Sequence, residues 1–69
     1  MYYAIRNKRT GKYISGTDFR YHPPHQILES AYRPPKLFTG HELLGEIEHR
    51  KINLNCYEVV AVGISEIKE

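Results

Sequence analysis

The stretch YYAIRNKRTGKYISGT, residues 2–17, decides how the fold begins. Its two ends, residues 2–6 and 13–17, are rich in the aromatic, branched and hydroxyl side chains that suit a pleated strand. Between them, Gly11 can adopt a positive φ without steric cost, and Asn7 can hydrogen-bond to the backbone near it. The pattern predicts an N-terminal β-hairpin whose turn spans residues 7–12.

A proline-rich segment follows this hairpin. Residues 18–35 contain two Pro-Pro pairs, at positions 23–24 and 34–35, and each pair stiffens the chain and removes backbone donors. We therefore expect an extended loop, followed by a short strand at residues 36–38. Loops of this length in a compact domain are usually functional or conceal an element that the sequence pattern does not reveal.

A helix is predicted over residues 39–51. Thr39 and Glu42 stand at the spacing of a capping box, in which each side chain satisfies a backbone N–H at the start of a helix. The apolar stripe of this helix comprises Leu43, Leu44 and Ile47. Asn53 is suited to the left-handed conformation that often ends a helix.

The last predicted element is a strand over residues 56–66, which precedes a polar tail at residues 65–69. Both faces of this strand are mostly apolar, which predicts an interior position in the sheet beneath the helix. The resulting order is β-β-β-α-β. A chain of 69 residues has room for one domain, so we expect a single small α+β domain.

The cysteine and histidine pattern does not indicate a cofactor or metal site. Cys56 is the single cysteine, so an intramolecular disulfide and a multi-cysteine metal site are excluded. His41 and Glu42 begin like a zinc-protease helix, but Gly45 stands where the second histidine would be needed. We expect no metal, no cofactor and no enzymatic activity. Catalysis by a histidine with Cys56 or a metal is the less favoured alternative.

The chain start lacks the features of a secretory signal, and no apolar run is long enough to cross a bilayer. These features predict a cytoplasmic protein without a membrane partner.

Charge is unevenly distributed: residues 1–36 carry seven basic and two acidic side chains, and residues 37–69 carry three basic and six acidic ones. The two halves could attract each other within the fold or between two copies, so a homodimer is one of the expectations.

Basic and aromatic side chains are concentrated in the first half of the chain. The candidate binding residues are Arg6, Lys8, Arg9, Lys12, Phe19, Arg20, Tyr21, His22 and His25. Cations interleaved with aromatic rings can neutralise phosphates and stack on unpaired bases, which makes nucleic acid one candidate partner. The same groups also suit a protein surface. The His-Pro-Pro-His stretch, residues 22–25, is either a rigid recognition loop or a structural loop.

Three stretches taken together resemble small uncharacterised proteins of phages and prophages of Gram-positive bacteria. These proteins open with Y-x-I-x-N-x-x-T-G-K-Y-x-S-G, as residues 3–16 do here, and they close with a helix and a Y-E-V-V-x-V strand, as at residues 57–62. The stretch KLFT at residues 36–39 also matches. The resemblance implies a phage origin and a protein that acts in the bacterial host cell.

From these observations we predict a small non-enzymatic binding or accessory protein that engages a host or phage macromolecule. The hairpin turn and the proline-rich loop would form its contact surface. A protein partner is favoured over nucleic acid, because the sequence contains no recognised nucleic-acid-binding motif.

Overall fold

The computed structural model describes residues 1–63, which form five strands and one helix. The strands are β1 (Tyr2–Asn7), β2 (Ile14–Asp18), β3 (His25–Leu28), β4 (Phe38–Thr39) and β5 (Tyr57–Val62), and the helix α1 spans Leu43–His49. β1, β4 and β5 form an antiparallel sheet in the order β4-β1-β5, and β2 and β3 form a second, two-stranded sheet. The predicted α+β class is confirmed.

The N-terminal hairpin differs from the prediction. Both strands and the turn are present, but β1 and β2 meet in only one isolated bridge, Arg6 to Tyr13. Beyond that bridge β2 leaves β1 and pairs with β3, so that the Ile14 side chain is fully buried in the core. β4 then pairs with Tyr2 and Tyr3 at the start of β1. The burial of Ile14 and the pairing of β2 with β3 therefore separate β2 from β1.

The proline-rich segment contains a strand that the sequence pattern did not reveal. β3 begins directly after Pro24 and pairs with β2 from Ile14–Leu28 to Asp18–His25, with an irregularity between Ile14 and Gly16. The prediction of one extended loop over residues 18–35 is therefore wrong. Only two of the four residues of β3 are apolar, and this short pattern is too weak to indicate a strand.

The predicted interior position of the last strand is also wrong for the part of the chain that the structure describes. β5 lies at the edge of its sheet, and β1 is the central strand, with Ala4 and Ile5 buried. The apolar residues of β5 are nevertheless half-buried or exposed, so an apolar strand need not be interior. The end of the predicted strand, residues 64–66, and the predicted tail, residues 65–69, lie outside the described residues.

The core is small and lies between the two sheets and the helix. Its buried apolar side chains are Ile5, Ile14, Phe38 and Ile52, and Leu28, Leu43, Ile47 and Tyr57 pack against them. Leu44, which the sequence placed on the apolar stripe, is instead 78% exposed. A core this small limits the free energy of unfolding to a few kcal/mol.

The helix is shorter than predicted at both ends. Glu42 accepts a hydrogen bond from the Thr39 backbone N–H, but the Thr39 hydroxyl does not cap the helix, which begins at Leu43. Lys51, with φ of 54°, occupies the left-handed position predicted for Asn53. No helix in residues 1–63 has the length and apolar character needed to span a bilayer.

A circuit of hydrogen bonds fastens the β2–β3 hairpin to the end of α1. The Arg50 guanidinium donates to the Thr17 hydroxyl at 3.0 Å, and that hydroxyl donates to Oε1 of Gln26 at 2.7 Å. The Gln26 side-chain amide then donates to the Arg50 carbonyl at 2.8 Å. A salt bridge of 2.7 Å to Glu46 orients the same guanidinium. The circuit fixes the second sheet relative to the helix.

Candidate functional site

Two exposed segments carry most of the predicted binding residues. The first is the turn between β1 and β2, residues 8–13, here called the basic turn. The second is the loop between β2 and β3, residues 19–24, here called the aromatic loop. Both connect strands whose positions are set by pairing and by core packing, so the scaffold presents two short connections of defined geometry.

The basic turn is organised by Asn7. Its Oδ1 accepts hydrogen bonds from the backbone N–H groups of Arg9 at 2.8 Å and Thr10 at 3.0 Å. The Asn7 backbone is itself bonded to Lys12 and Gly11, and Gly11 takes the positive φ of 77° that the turn requires. The side chains of the predicted cations Lys8, Arg9 and Lys12 are exposed on this turn. In residues 1–63 they form no ion pair.

Arg6 has a different role from these three cations. Its Nε donates to Glu58 on β5 at 2.7 Å, and its guanidinium lies 5.9 Å from the ring centroid of Tyr13. The hydrogen bond and charge of Glu58 raise the pKa of Arg6. Since Arg6 and Glu58 face each other directly across the two strands, this contact joins β1 to β5. Arg6 is therefore only partly available to an anionic partner.

The aromatic loop begins with a clamp between Asp18 and Arg20. The two oxygens of Asp18 accept hydrogen bonds from the backbone N–H, Nε and Nη2 of Arg20, at 2.7 to 3.2 Å. These hydrogen bonds lower the pKa of Asp18 to about 2. The Arg20 side chain remains 83% exposed, so the clamp orients the guanidinium without burying it.

Two aromatic rings of this loop rest on histidines. Tyr21 stacks on His25, with ring centroids 3.9 Å apart, and Phe19 contacts His49 of α1 at 5.1 Å with a tilt of 42°. Phe19 is nevertheless 45% exposed and Tyr21 46% exposed. Arg20 lies between them in sequence, with its guanidinium 6.0 Å from the Tyr21 ring centroid. The loop thus exposes two aromatic rings and a cation, and contacts with other side chains fix the position of each.

The basic turn and the aromatic loop border two grooves that share one side chain, Tyr57. One groove is lined by Pro23, Pro24, His25, Gln26, Lys51, Asn53 and Tyr57. The other is lined by Asn7, Lys8, Arg9, Asn55, Cys56 and Tyr57. Tyr57 therefore lies between the groove beside Pro23 and Pro24 of the aromatic loop and the groove beside Lys8 and Arg9 of the basic turn.

The histidines are dispersed over this surface and beyond it. His25 and Cys56 line different grooves, His22 is exposed on the aromatic loop, and His49 contacts Phe19. His41 lines a third depression beside Tyr2 and Tyr3. Among residues 1–63 no group of three or more His, Cys, Asp or Glu side chains could hold a metal ion.

Sequence reasoning missed three contributors to this surface: Tyr57, Lys51 and His49. Tyr57 lies in the predicted last strand and His49 in the predicted helix, and the structure places them in β5 and α1. No sequence signal indicates that they lie beside residues 19–25, since that contact depends on how the β2–β3 hairpin packs on the end of the helix.

Comparisons with protein-family models, with curated proteins and with solved structures each found no match to this chain.

Proposed function

We propose that this chain is a small non-enzymatic binding protein that engages a protein partner through the aromatic loop and the neighbouring basic turn. The supporting observation is the arrangement of Phe19, Arg20 and Tyr21, each oriented by a contact with another side chain and each exposed. Aromatic and arginine side chains contribute most of the energy in many protein interfaces. Orienting them before binding reduces the entropy lost on association.

A protein partner accounts for the charges better than nucleic acid does. Arg6 and Arg20, two of the predicted cations, already contact the carboxylates of Glu58 and Asp18. Of the five predicted lysine and arginine cations, this leaves Lys8, Arg9 and Lys12 without an ion pair within residues 1–63. Three lysine or arginine contacts provide a weak, strongly salt-dependent attraction for phosphates.

A binding role is also favoured over a catalytic one. A cysteine nucleophile needs a base within hydrogen-bond reach, and the structure places Cys56 and His25 in different grooves. The resemblance to phage-encoded proteins adds the proposal that the partner is a host or phage macromolecule in the bacterial cytoplasm.

The test is a quantitative pull-down from lysate of a Gram-positive host, with and without phage infection. The double variant Arg20→Ala/Tyr21→Ala should lose the partner that the original chain retains. The matched control is Tyr32→Ala/Arg33→Ala, which removes the same two residue types from the exposed turn of residues 30–33, where Tyr32 is 94% exposed. Equal recovery by all three proteins, or equal loss from both variants, would contradict the proposed surface.

A salt titration separates the two partner classes. We expect the affinity for the partner to change less than about tenfold between 50 and 200 mM salt. This result supports a protein interface of mixed apolar and polar contacts. Binding of single- or double-stranded oligonucleotides with a steep salt dependence, lost in a Lys8→Ala/Arg9→Ala variant, would instead assign the surface to nucleic acid.

A further inference from the structure

The outer edge of β5 has the properties of a strand that pairs with another strand. Within residues 1–63, β1 is its one partner. The backbone N–H of Lys8 bonds to the carbonyl of Cys56 at 2.9 Å, directly opposite it in the β1–β5 register. Because backbone groups in an antiparallel ladder alternate in direction, those of Glu58, Val60 and Val62 point toward β1. Those of Val59 and Ala61 therefore point outward.

In the part of the chain that the structure describes, this edge lacks the features that usually prevent strands from pairing. β5 has six residues in continuous register with β1, without a bulge, proline or lysine. Its one charged side chain, Glu58, forms a salt bridge with Arg6 on the inner side. Val59 is 40% exposed and Ala61 is also exposed, so the apolar residues with outward backbone groups are accessible to a partner.

We propose that two copies of this chain associate by antiparallel pairing of β5 with β5, about a twofold axis at Val60. The result is a continuous six-stranded sheet with the order β4-β1-β5-β5-β1-β4. This assembly is independent of the partner proposed for the aromatic loop, because the residues at its centre, Val59, Val60 and Ala61, line neither groove beside that loop.

The register follows from the backbone directions and from charge. An axis at Val60 places Val59 opposite the partner's Ala61, and both residues have outward backbone groups that can exchange two hydrogen bonds in each such pair. Glu58 then lies opposite the partner's Val62, about four residues or ~13 Å along the strand from the partner's Glu58. An axis at Val59 would bring the two glutamates to a diagonal separation of about 7–8 Å, where like charges repel.

A second copy suits this edge better than an unrelated strand for two reasons. The central part of β5 is self-complementary in this register, because Val59, Val60 and Ala61 meet apolar residues of the second copy and the two Glu58 carboxylates stay apart. The described residues also have only five buried apolar side chains, and a chain of this size commonly gains its stability from oligomerisation. The net charge of +2 offers little repulsion between copies.

Sedimentation of the full chain tests the assembly. We expect twice the chain mass of 8.1 kDa at micromolar concentration. Val59→Lys/Ala61→Lys should weaken association at least tenfold, because lysines would face each other across the interface. Val59→Lys/Ala61→Glu should restore it, since each introduced lysine would then lie opposite an introduced glutamate. Circular dichroism establishes that both variants are folded.

Disulfide cross-linking tests the register, in chains that also carry Cys56→Ser. Val60→Cys should form a cross-linked dimer on mild oxidation, because residues at the axis lie about 4.5 Å apart between Cα atoms. Val59→Cys is the matched control and should cross-link poorly, since the two copies of position 59 lie about 7–8 Å apart in this register. A monomeric wild-type chain up to hundreds of micromolar, or equal cross-linking of the two cysteine variants, would overturn the proposal.

Discussion

The rings of Tyr21 and His25 stack with their centroids 3.9 Å apart and their planes inclined by 2°. His25 is the first residue of β3 and pairs with Asp18, the last residue of β2. The stack therefore folds the aromatic loop back onto the strand pair that closes it. The Asp18–Arg20 clamp holds the start of the loop and the Tyr21–His25 stack holds its end, so contacts within the connection fix both ends.

The Tyr21–His25 stack should be visible in solution by NMR. The ring protons of His25 should resonate upfield of those of His22, because they lie over the face of the Tyr21 ring. Tyr21→Leu should remove this shift and cost about 0.5 kcal/mol of stability, at the low end for aromatic pairs because the site is exposed. Tyr32→Leu is the control and should leave His25 unchanged. A His25 spectrum indistinguishable from that of His22 in the original chain would contradict the stack.

The clamp between Arg20 and Asp18 predicts a pH dependence. Hydrogen bonds from Arg20 lower the Asp18 pKa from 3.8 to about 2. A carboxyl group with a lowered pKa stabilises the folded state fully above its unfolded value, and this contribution is lost as the pH falls from about 4 through 2. An NMR titration of the Asp18 carboxyl carbon should give a midpoint near 2, and Arg20→Ala should raise it toward 3.8.

The control for this titration is Arg33→Ala, which removes a cation that has no contact with Asp18 among the hydrogen bonds of residues 1–63. It should leave the Asp18 midpoint unchanged. If the original chain already titrates near 3.8, the clamp does not form in solution.

The hydrogen-bond circuit between Thr17, Gln26 and Arg50 should contribute measurably to stability. Thr17→Val keeps the side-chain shape but removes the hydroxyl, which leaves the Gln26 carbonyl oxygen and the Arg50 guanidinium each without one partner. We expect a loss of about 1–2 kcal/mol, measured by urea unfolding. Thr17→Ser retains the hydroxyl and should lose clearly less. A Thr17→Val variant as stable as the original chain would show that the circuit does not contribute to stability.

The left-handed conformation at the end of the helix can be tested by substitution of Lys51. Lys51 is a non-glycine residue in the left-handed conformation, and it follows a helix end in which Ile52 N–H bonds to Ile47 and Lys51 N–H bonds to Glu48. Glycine is preferred at this position because it has no Cβ to clash. Lys51→Gly should be more stable than Lys51→Ala by about 1 kcal/mol, equivalent to a melting temperature roughly 4–8 °C higher.

The alanine variant is the matched reference here, because both substitutions remove the lysine charge from the end of the helix and differ only in the Cβ. Thermal unfolding of the two proteins provides the comparison. Equal melting temperatures would mean that residue 51 does not adopt a positive φ in solution.

The predicted elements were most accurate where local chemistry is strong. Asn7 and Gly11 indicated the first turn, and the structure has the Asn7 side-chain bonds and the positive φ at Gly11. The apolar run at the end of the chain indicated β5. Each of these features depends on neighbouring residues, whose propensities the sequence shows directly.

The predictions failed where distant residues decide the outcome. β3 lacks a clear alternating pattern and forms because β2 offers it a partner, with side-chain bonds from Thr17 and Ser15 across the pair. β5 was assigned to the interior because it is apolar, yet β1 takes the central position. An apolar pattern shows that a strand avoids water, and it does not show which strand or second molecule covers it.

The candidate site likewise divides into features that local sequence shows and features that distant contacts decide. Its exposed cations and aromatic rings were identifiable by residue type, since Lys8, Arg9 and Tyr21 lie in or beside turn signals. The sequence by itself determined the α+β class, the positions of most elements and the segments rich in charge and aromatic rings. Only the tertiary structure decided that Arg6 contacts Glu58, that Tyr57 joins the two grooves and that β5 is an edge. Turn chemistry and side-chain periodicity act over a few residues, whereas these contacts join positions tens of residues apart through packing of the whole chain.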